Sequence, residues 1–404
     1  MKEEYINIDV NEYDYSLDNE RIAKHPLNNR DSSKLLVYKD KTLRNSTFSS
    51  LKEFLFPGDL LVFNNTMVVQ ARLLFTKHTG ANIEIFLLNP VNPPEYNLAF
   101  SSKSETKWNC IVGNVKRWKD DVLELPIDEY NTILKAKRIE RTPDGALVSF
   151  SWDDNKVSFA QIIESCGKVP IPPCLNREPI HDDKSRYQTV YAKPKGSVAA
   201  PTAGLHFTES IFEELKRKSV DFGELTLHVG AGTFRPVKSA TIGGHEMHTE
   251  RIYINKKLLS RLLNTRGKVV AVGTTSMRSL ESYYWLGVKL IENPNLVELH
   301  VNQWDGYSLN SNYSLTDALN ALNQYMQNHG LDELSASTQM IIVPGYRFKI
   351  VDALITNFHQ PRSTLLLLVA AFIGGNWKRV YNHALNNNFR FLSYGDSSIL
   401  FRAT

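Results

Sequence analysis

At 404 residues, 42% of them hydrophobic and 22% charged, the chain is long enough for two domains with substantial cores and reads as an ordinary soluble protein. A formal net charge of +4 permits contact with a polyanion but falls well short of the footprint of a dedicated nucleic-acid coat. Three cysteines, Cys110, Cys166 and Cys174, fit neither a paired disulfide framework nor a CxxC metal knuckle, so a reducing cytoplasm is the simplest compartment. The charged start, MKEEYINIDVNEYDY, lacks an apolar leader core, and the longest apolar run, Leu365 to Ile373, is about half of a bilayer span. No membrane contact is expected.

In chain order, Pro57-Gly58-Asp59 is a turn signal before an apolar strand at Leu60 to Phe63. From Val68 to Phe159 the pattern is strand-rich. Ile83, Ile85 and Leu87 alternate, and RIERT and ALVSFSW flank Pro143-Asp144-Gly145 as a hairpin. Lys116, Arg117 and Trp118, with Lys135, Lys137, Arg138 and Arg141, put positive charge on this section. Such a patch is either a solvated face or a contact for RNA phosphates, with Trp118 stacking or merely packing. The prolines of Gly167 to Arg177 exclude helix and suit a linker. A helix is expected after Thr208. Leu225, Leu227 and Val229 then alternate as a strand, and Val269 to Val272 is a buried run. Strand-turn-helix units of this kind indicate an α/β architecture.

Reactive side chains concentrate between Tyr187 and Glu250, where His206, His228, His245 and His248 stand with Arg235, Glu246 and Glu250 among glycine-bounded turns. His206, in a glycine-preceded turn, is the first choice for proton transfer. His228 faces away from Leu225, Leu227 and Val229, toward a cleft. The pair His245-x-x-His248 raises a metal, but HExxH spacing and a third ligand are lacking, and Gly243-Gly244 argues for a loop; no metal is expected. Glycines in AAPTAGLHF and HVGAGTF match neither GxGxxG nor GxxxxGK[ST], so nucleotide cofactors are unsupported. Downstream, Gly273 ends a strand before Thr274, Thr275 and Ser276. That turn is either a plain helix cap, with Arg278 and Glu281 solvated, or a ligand-contacting turn at a strand's carboxyl end. A second such unit carries Asn357 and His359 before the apolar run STLLLLVAAF; His359 is either satisfied in the core or turned toward a ligand.

The words GSVAAPTAGLHF, TLHVGAGTFRPV, HEMHTE, AVGTTSMRSLES, PGYRFKIVDALITNFHQPRSTLLLLVAAF and FRFLSYGDSSIL, in this order, closely resemble the S-adenosylmethionine:tRNA ribosyltransferase-isomerases of queuosine biosynthesis. The resemblance runs from Tyr13 almost to Phe401. It implies a mixed α/β fold: a larger α/β-barrel-like catalytic domain from residues 1–67 and 160–404, with an antiparallel β-barrel inserted at 68–159. It implies transfer and isomerisation of the ribosyl part of S-adenosylmethionine onto 7-aminomethyl-7-deazaguanine at the wobble position of tRNA. Epoxyqueuosine-tRNA, adenine and methionine are the products, and no cofactor is needed beyond the donor. A monomer in the cytoplasm is expected.

In that scheme His206, Glu250 and His359 are candidates for proton transfer. Arg235 and Arg278 would meet developing charge or the methionine carboxylate, and Thr274, Thr275 and Ser276 polar substrate atoms. Asp352 and Asp396 would meet ribose hydroxyls or the acceptor amine; His228, His248 and Asn357 complete the binding set. Asn65 and Met67 depart from the family's NDTRV word, and the chain is longer than usual between Glu281 and Thr338, where Ser314 to Gly330 reads as an added capped helix. The departures touch acceptor specificity. They keep open a paralogue acting on another acceptor and, from a different class, a non-catalytic tRNA-binding protein; a metal-dependent hydrolase is disfavoured by the ligand spacing.

Overall fold

Strands buried at every position, Leu60–Asn64, Val269–Val272, Ala353–Asn357 and Ser397–Phe401, form the centre of the molecule. Such runs suit strands covered on both faces. The computed structural model describes residues 3–119, 121–142, 145–230, 237 and 239–402. These strands belong to a ten-stranded mixed sheet, in the order His300–Val301, Glu333–Thr338, Glu250–Asn255, Asp221–Leu227, Leu60–Asn64, Val269–Val272, Ala353–Asn357, Ser397–Phe401, Lys34–Lys39, Thr42–Thr47. Asp221–Leu227 through Ala353–Asn357 run parallel, so their four carboxyl ends share one edge.

Alternation along the strands feeds two cores. Leu60, Val62, Ala271 and Leu354 pack with Met277, Leu280, Leu366 and Val380 from helices Thr274–Glu292, Thr364–Ile373 and Trp377–Asn386. Leu61, Phe63, Val270 and Ile355 face the other way, against Phe48 and Leu51 and against Ile211 and Leu215 of helix Glu209–Arg217. Each such side chain contributes roughly 1.5–3 kcal/mol by leaving water. Both layers therefore hold the central strands in register.

A second sheet of six antiparallel strands runs Arg72–Thr76, Asn82–Asn92, Glu105–Gly113, Gly145–Ser151, Thr132–Thr142, Leu123–Ile127. Its first and last strands approach each other, nearly closing a barrel. The fold is thus mixed α/β with an antiparallel barrel-like sheet, the class expected. Trp108, Trp118 and Phe150 fill its core together with Phe159, Ile162 and Ile163. The last three come from helix Phe159–Cys166, whose first turn is fixed by the Ser158–Gln161 capping box. Pro143 and Asp144 of the expected hairpin lie outside the described residues; the flanking pair Thr142 and Gly145 does face across the ladder.

Ser314 caps helix Leu315–Asn328 by accepting the Asp317 N–H at 3.0 Å, and Gly330 at φ 65° follows, so the added helix is present. Among the described residues no helix is long and apolar enough to cross a membrane.

Candidate active site

Ligands of parallel sheets gather outside the carboxyl ends of the strands, and two strand ends here meet over one cavity. Val272 is followed by Gly273, whose φ of 91° disfavours any side chain, and helix Thr274–Glu292 begins there without a side-chain cap. Its first N–H groups are therefore available at the positive end of the helix dipole. Ala353–Asn357 is followed by Phe358 and His359. The next helix, Thr364–Ile373, is capped by Ser363, which accepts the Leu366 N–H at 3.2 Å. Between the two lies a cavity of about 450 Å³ lined by Thr274, Thr275, Asn357 and His359, with Ala199–Ala203 and Pro172-Pro173 as apolar walls. That volume suits a small-molecule ligand.

His359 is 9% exposed, and burial pushes its pKa down to about 4. The ring is therefore neutral near pH 7. Its Nε2 pairs with Thr356 Oγ1 at 2.9 Å, while the Tyr15 hydroxyl donates to its carbonyl and its N–H donates to Tyr381 Oη at 3.1 Å. Asn357 is oriented by the Leu392 carbonyl, which accepts from Nδ2 at 3.0 Å. Its Oδ1 is buried and has no hydrogen-bond partner among the described residues. An acceptor with nothing to accept, at a cavity wall, is suited to a donor from a ligand.

His206 stands behind that wall. Asn357 Nδ2 faces its Nε2 at 3.3 Å, and its Nδ1 meets Ser33 Oγ at 2.8 Å. Because an amide nitrogen can only donate, Nε2 accepts and Nδ1 carries the hydrogen. Burial pushes this imidazole too down to about 4, against the opposing pull of Asp396. It is a neutral buttress for Asn357, not a wall of the main cavity.

Next to the cavity, and sharing Thr274, Thr275, Thr364 and Leu365 with it, lies a smaller pocket lined by His245, His248 and Arg278. Glu250 opens strand Glu250–Asn255, is 2% exposed, and is ion-paired with Arg278. His248 Nε2 reaches its other oxygen at 3.1 Å. Burial lowers the Arg278 pKa to about 10, and its Nε is buried without a partner among the described residues. Removing one member of a buried pair typically costs about 3–5 kcal/mol, because the other charge is stranded.

The family profile described as "Queuosine biosynthesis protein" matches residues 10–400. The chain belongs to that family. Among its relatives named S-adenosylmethionine:tRNA ribosyltransferase-isomerase, that of Sulfurihydrogenibium sp. (strain YO3AOP1) is 38% identical, covering 97% of this chain and 99% of the relative. That of Thermotoga maritima is 39% identical at 97% and 99% coverage, and that of Aromatoleum aromaticum 37% at 98% of each. A crystal structure of an S-adenosylmethionine tRNA ribosyltransferase from Thermotoga maritima, 29% identical, covers 96% of this chain and 100% of its own with a TM-score of 0.47. The fold itself rests on the strand pairings.

Not every residue singled out in the sequence joins these pockets. His228 follows strand Asp221–Leu227 and is absent from the main cavity; it lines a further cavity of about 680 Å³ with Tyr96 and Glu250, which shares His245, Met247 and His248 with the smaller pocket, and its Nδ1 meets Thr66 Oγ1 at 2.9 Å. Asp352 does not belong with the set. It precedes its strand instead of following it, accepts the Val269 N–H at 3.0 Å and pairs with Arg402 at 3.2 Å, at the opposite edge of the sheet from Asn357. Asp396 accepts from the Lys34 and Arg390 N–H groups at 3.1 and 2.8 Å, joining backbone segments behind His206. Ser276 is turned inward, donating to the Val272 carbonyl at 2.7 Å. Arg278 and Glu281 are buried, so the solvated alternative fails. Glu281 accepts from Tyr346 Oη at 2.8 Å and from the N–H groups of Lys349, Ile350 and Val351 at 2.8–3.0 Å.

Arg235 lies outside the described residues. Lys116 and Arg117 are exposed, but Trp118 is fully buried with its Nε1 donating to the Asp121 carbonyl at 2.9 Å, so it cannot stack on a base. His245 and His248 sit in irregular chain after the turn Ile242–Gly244, and no group of three or more metal-ligating side chains occurs among the described residues. Asn65 donates to Glu224 at 3.1 Å and accepts from Thr226 at 2.7 Å; neither it nor Met67 lines the main cavity. Sequence reasoning missed Tyr15, Ser33 and Thr356, whose hydroxyls carry no motif signature.

Proposed function

We propose that the protein transfers and isomerises the ribosyl group of S-adenosylmethionine onto 7-aminomethyl-7-deazaguanine in tRNA, yielding epoxyqueuosine-tRNA with release of adenine and methionine. The observation that carries this reading is the cavity between Thr274-Thr275 and Asn357–His359, in a chain that matches the ribosyltransferase-isomerases along nearly its whole length. In this reading residues 68–159 are an inserted domain, and 1–67 with 160–404 the catalytic one. Separate apolar cores support two units, though Ile162 and Ile163 of helix Phe159–Cys166 pack in the core of the barrel-like sheet and so carry that unit past residue 159.

The sulfonium acidifies the neighbouring C5′ hydrogens, so a positioned base can start the reaction while proton donation assists adenine departure. We assign proton transfer in the cavity to His359, which is neutral and at the wall. Thr274 and Thr275, at an uncapped helix start, meet the methionine carboxylate. Asn357 Oδ1 receives a ribose hydroxyl or the acceptor amine, and His206 positions it. The Glu250–Arg278 pair, with His248, sets the charge beside the donor. Incubation with S-adenosylmethionine and tRNA carrying the aminomethyl base, followed by mass analysis of nucleosides and free adenine, tests the reading. Epoxyqueuosine and adenine in equal amounts are expected; no adenine release would overturn it.

A further inference from the structure

Behind His206 is a pocket of about 20 Å³ lined by Arg30, Arg186 and Arg390, with Ser33 and Ser393 supplying hydroxyls, while the Tyr394 hydroxyl at its wall donates to Asp183 at 2.7 Å. Arg30 donates to the carbonyls of Gln188 at 2.5 Å and Ser185 at 2.9 Å. Arg186 donates to the carbonyls of Asn28 at 3.1 Å and of Leu27. Carbonyl oxygens orient a guanidinium without neutralising it, and among the described residues neither side chain has a carboxylate partner. Only Arg390 has one, Asp396, at 3.1 Å. Burial, and then the adjacent Arg186, lowers the Arg30 pKa, so the two cations are held close enough to repel.

Bringing like charges together partly out of water is unfavourable unless an anion completes the set. Each guanidinium has five N–H donors in a planar fork that matches an oxyanion, and most remain unspent. A pocket of this size holds about one water-sized group, so it suits an oxygen of a larger anion and not a whole metabolite. Ser393 lines both this pocket and the main cavity, and Asn357 links His206 to it, so the arginines flank the cavity. We propose that Arg30, Arg186 and Arg390 bind a backbone phosphate of the RNA strand whose base enters the cavity. The inference rests on the proposed RNA substrate, and deepens it by naming where the strand is gripped.

The test is tRNA affinity against salt concentration for the wild type, Arg30→Gln and Arg186→Gln, with S-adenosylmethionine binding and thermal midpoint measured alongside. The expected result is tRNA binding weakened roughly tenfold at moderate salt, a log–log salt slope shallower by up to roughly 0.7–0.9, the share of the one phosphate gripped, and unchanged donor binding. Arg30→Lys should restore most of the slope, because it keeps the charge and loses only the fork. An unchanged slope in both Gln variants, or a lowered midpoint with donor and tRNA binding falling together at constant slope, would overturn the proposal. So would stabilisation of the wild type, but not the variants, by inorganic phosphate without any change in tRNA affinity, which would assign the pocket to a free anion. If wild-type protein releases no adenine yet the slope falls as described, the ribosyl-transfer reading fails and the phosphate site stands.

Discussion

Burial, more than residue type, sorts the histidines of this chain. His206, His228 and His359 are each pushed down to about 4, so all three are neutral in the folded protein near pH 7. Unfolded, each takes up a proton near pH 6.5. The unfolded state therefore binds more protons in between, and stability is lost as pH falls from about 6.5 toward 4. We expect the thermal midpoint to drop through that window and the drop to be shallower in His228→Gln; an identical profile would show that His228 is not held neutral. Among the three, only His359 reaches the main cavity, so His359→Ala should lower kcat by about 10²–10⁴-fold while circular dichroism still reports a folded chain. Full turnover in that variant would move the proton transfer elsewhere. The glycine-rich words and histidines marked the neighbourhood of the site from sequence alone. They could not tell that His206 faces Asn357 from behind, because ring orientation is set by Ser33, 173 positions away.

The units Val269–Val272 with Thr274–Glu292, and Ala353–Asn357 with Thr364–Ile373, were legible because a buried run, a turn and a helix start follow one another locally. Asp352 was misplaced for a related reason: a motif shows that a polar residue adjoins a strand, but only the parallel ladder shows which end bears the cavity. Trp118 was ambiguous until the antiparallel strands curled around it, which depends on pairings between distant segments. The added helix Leu315–Asn328 was legible from its caps, yet its docking was not. A Cβ at Gly287 would lie 2.1 Å from the Ala318 carbonyl oxygen, so helix Thr274–Glu292 touches the added helix backbone to backbone. Gly287→Ala should therefore cost about 1–3 kcal/mol in urea unfolding, as overpacking does. A midpoint equal to wild type would mean that the helices part freely.

Across the whole molecule the positive charge is spread, with Lys116 and Arg117 exposed on the barrel-like sheet and the arginine pocket beside the main cavity. Replacing Lys116 and Arg117 with Ala should weaken tRNA binding and make the salt slope shallower by roughly 0.7–0.9 for each phosphate no longer neutralised. A slope unaffected by that double variant would confine RNA to the other face. Ser397–Phe401 lies between Lys34–Lys39 and Ala353–Asn357, with Leu36 facing Ser398. During synthesis the early strand must wait for Ser397–Phe401 to leave the ribosome, whereas the barrel-like sheet, built from 72–151, can close long before. The strand bearing Asn357 gains its second neighbour only then. A chain cut before Ser397 would thus carry a finished barrel and an unfinished reaction chamber.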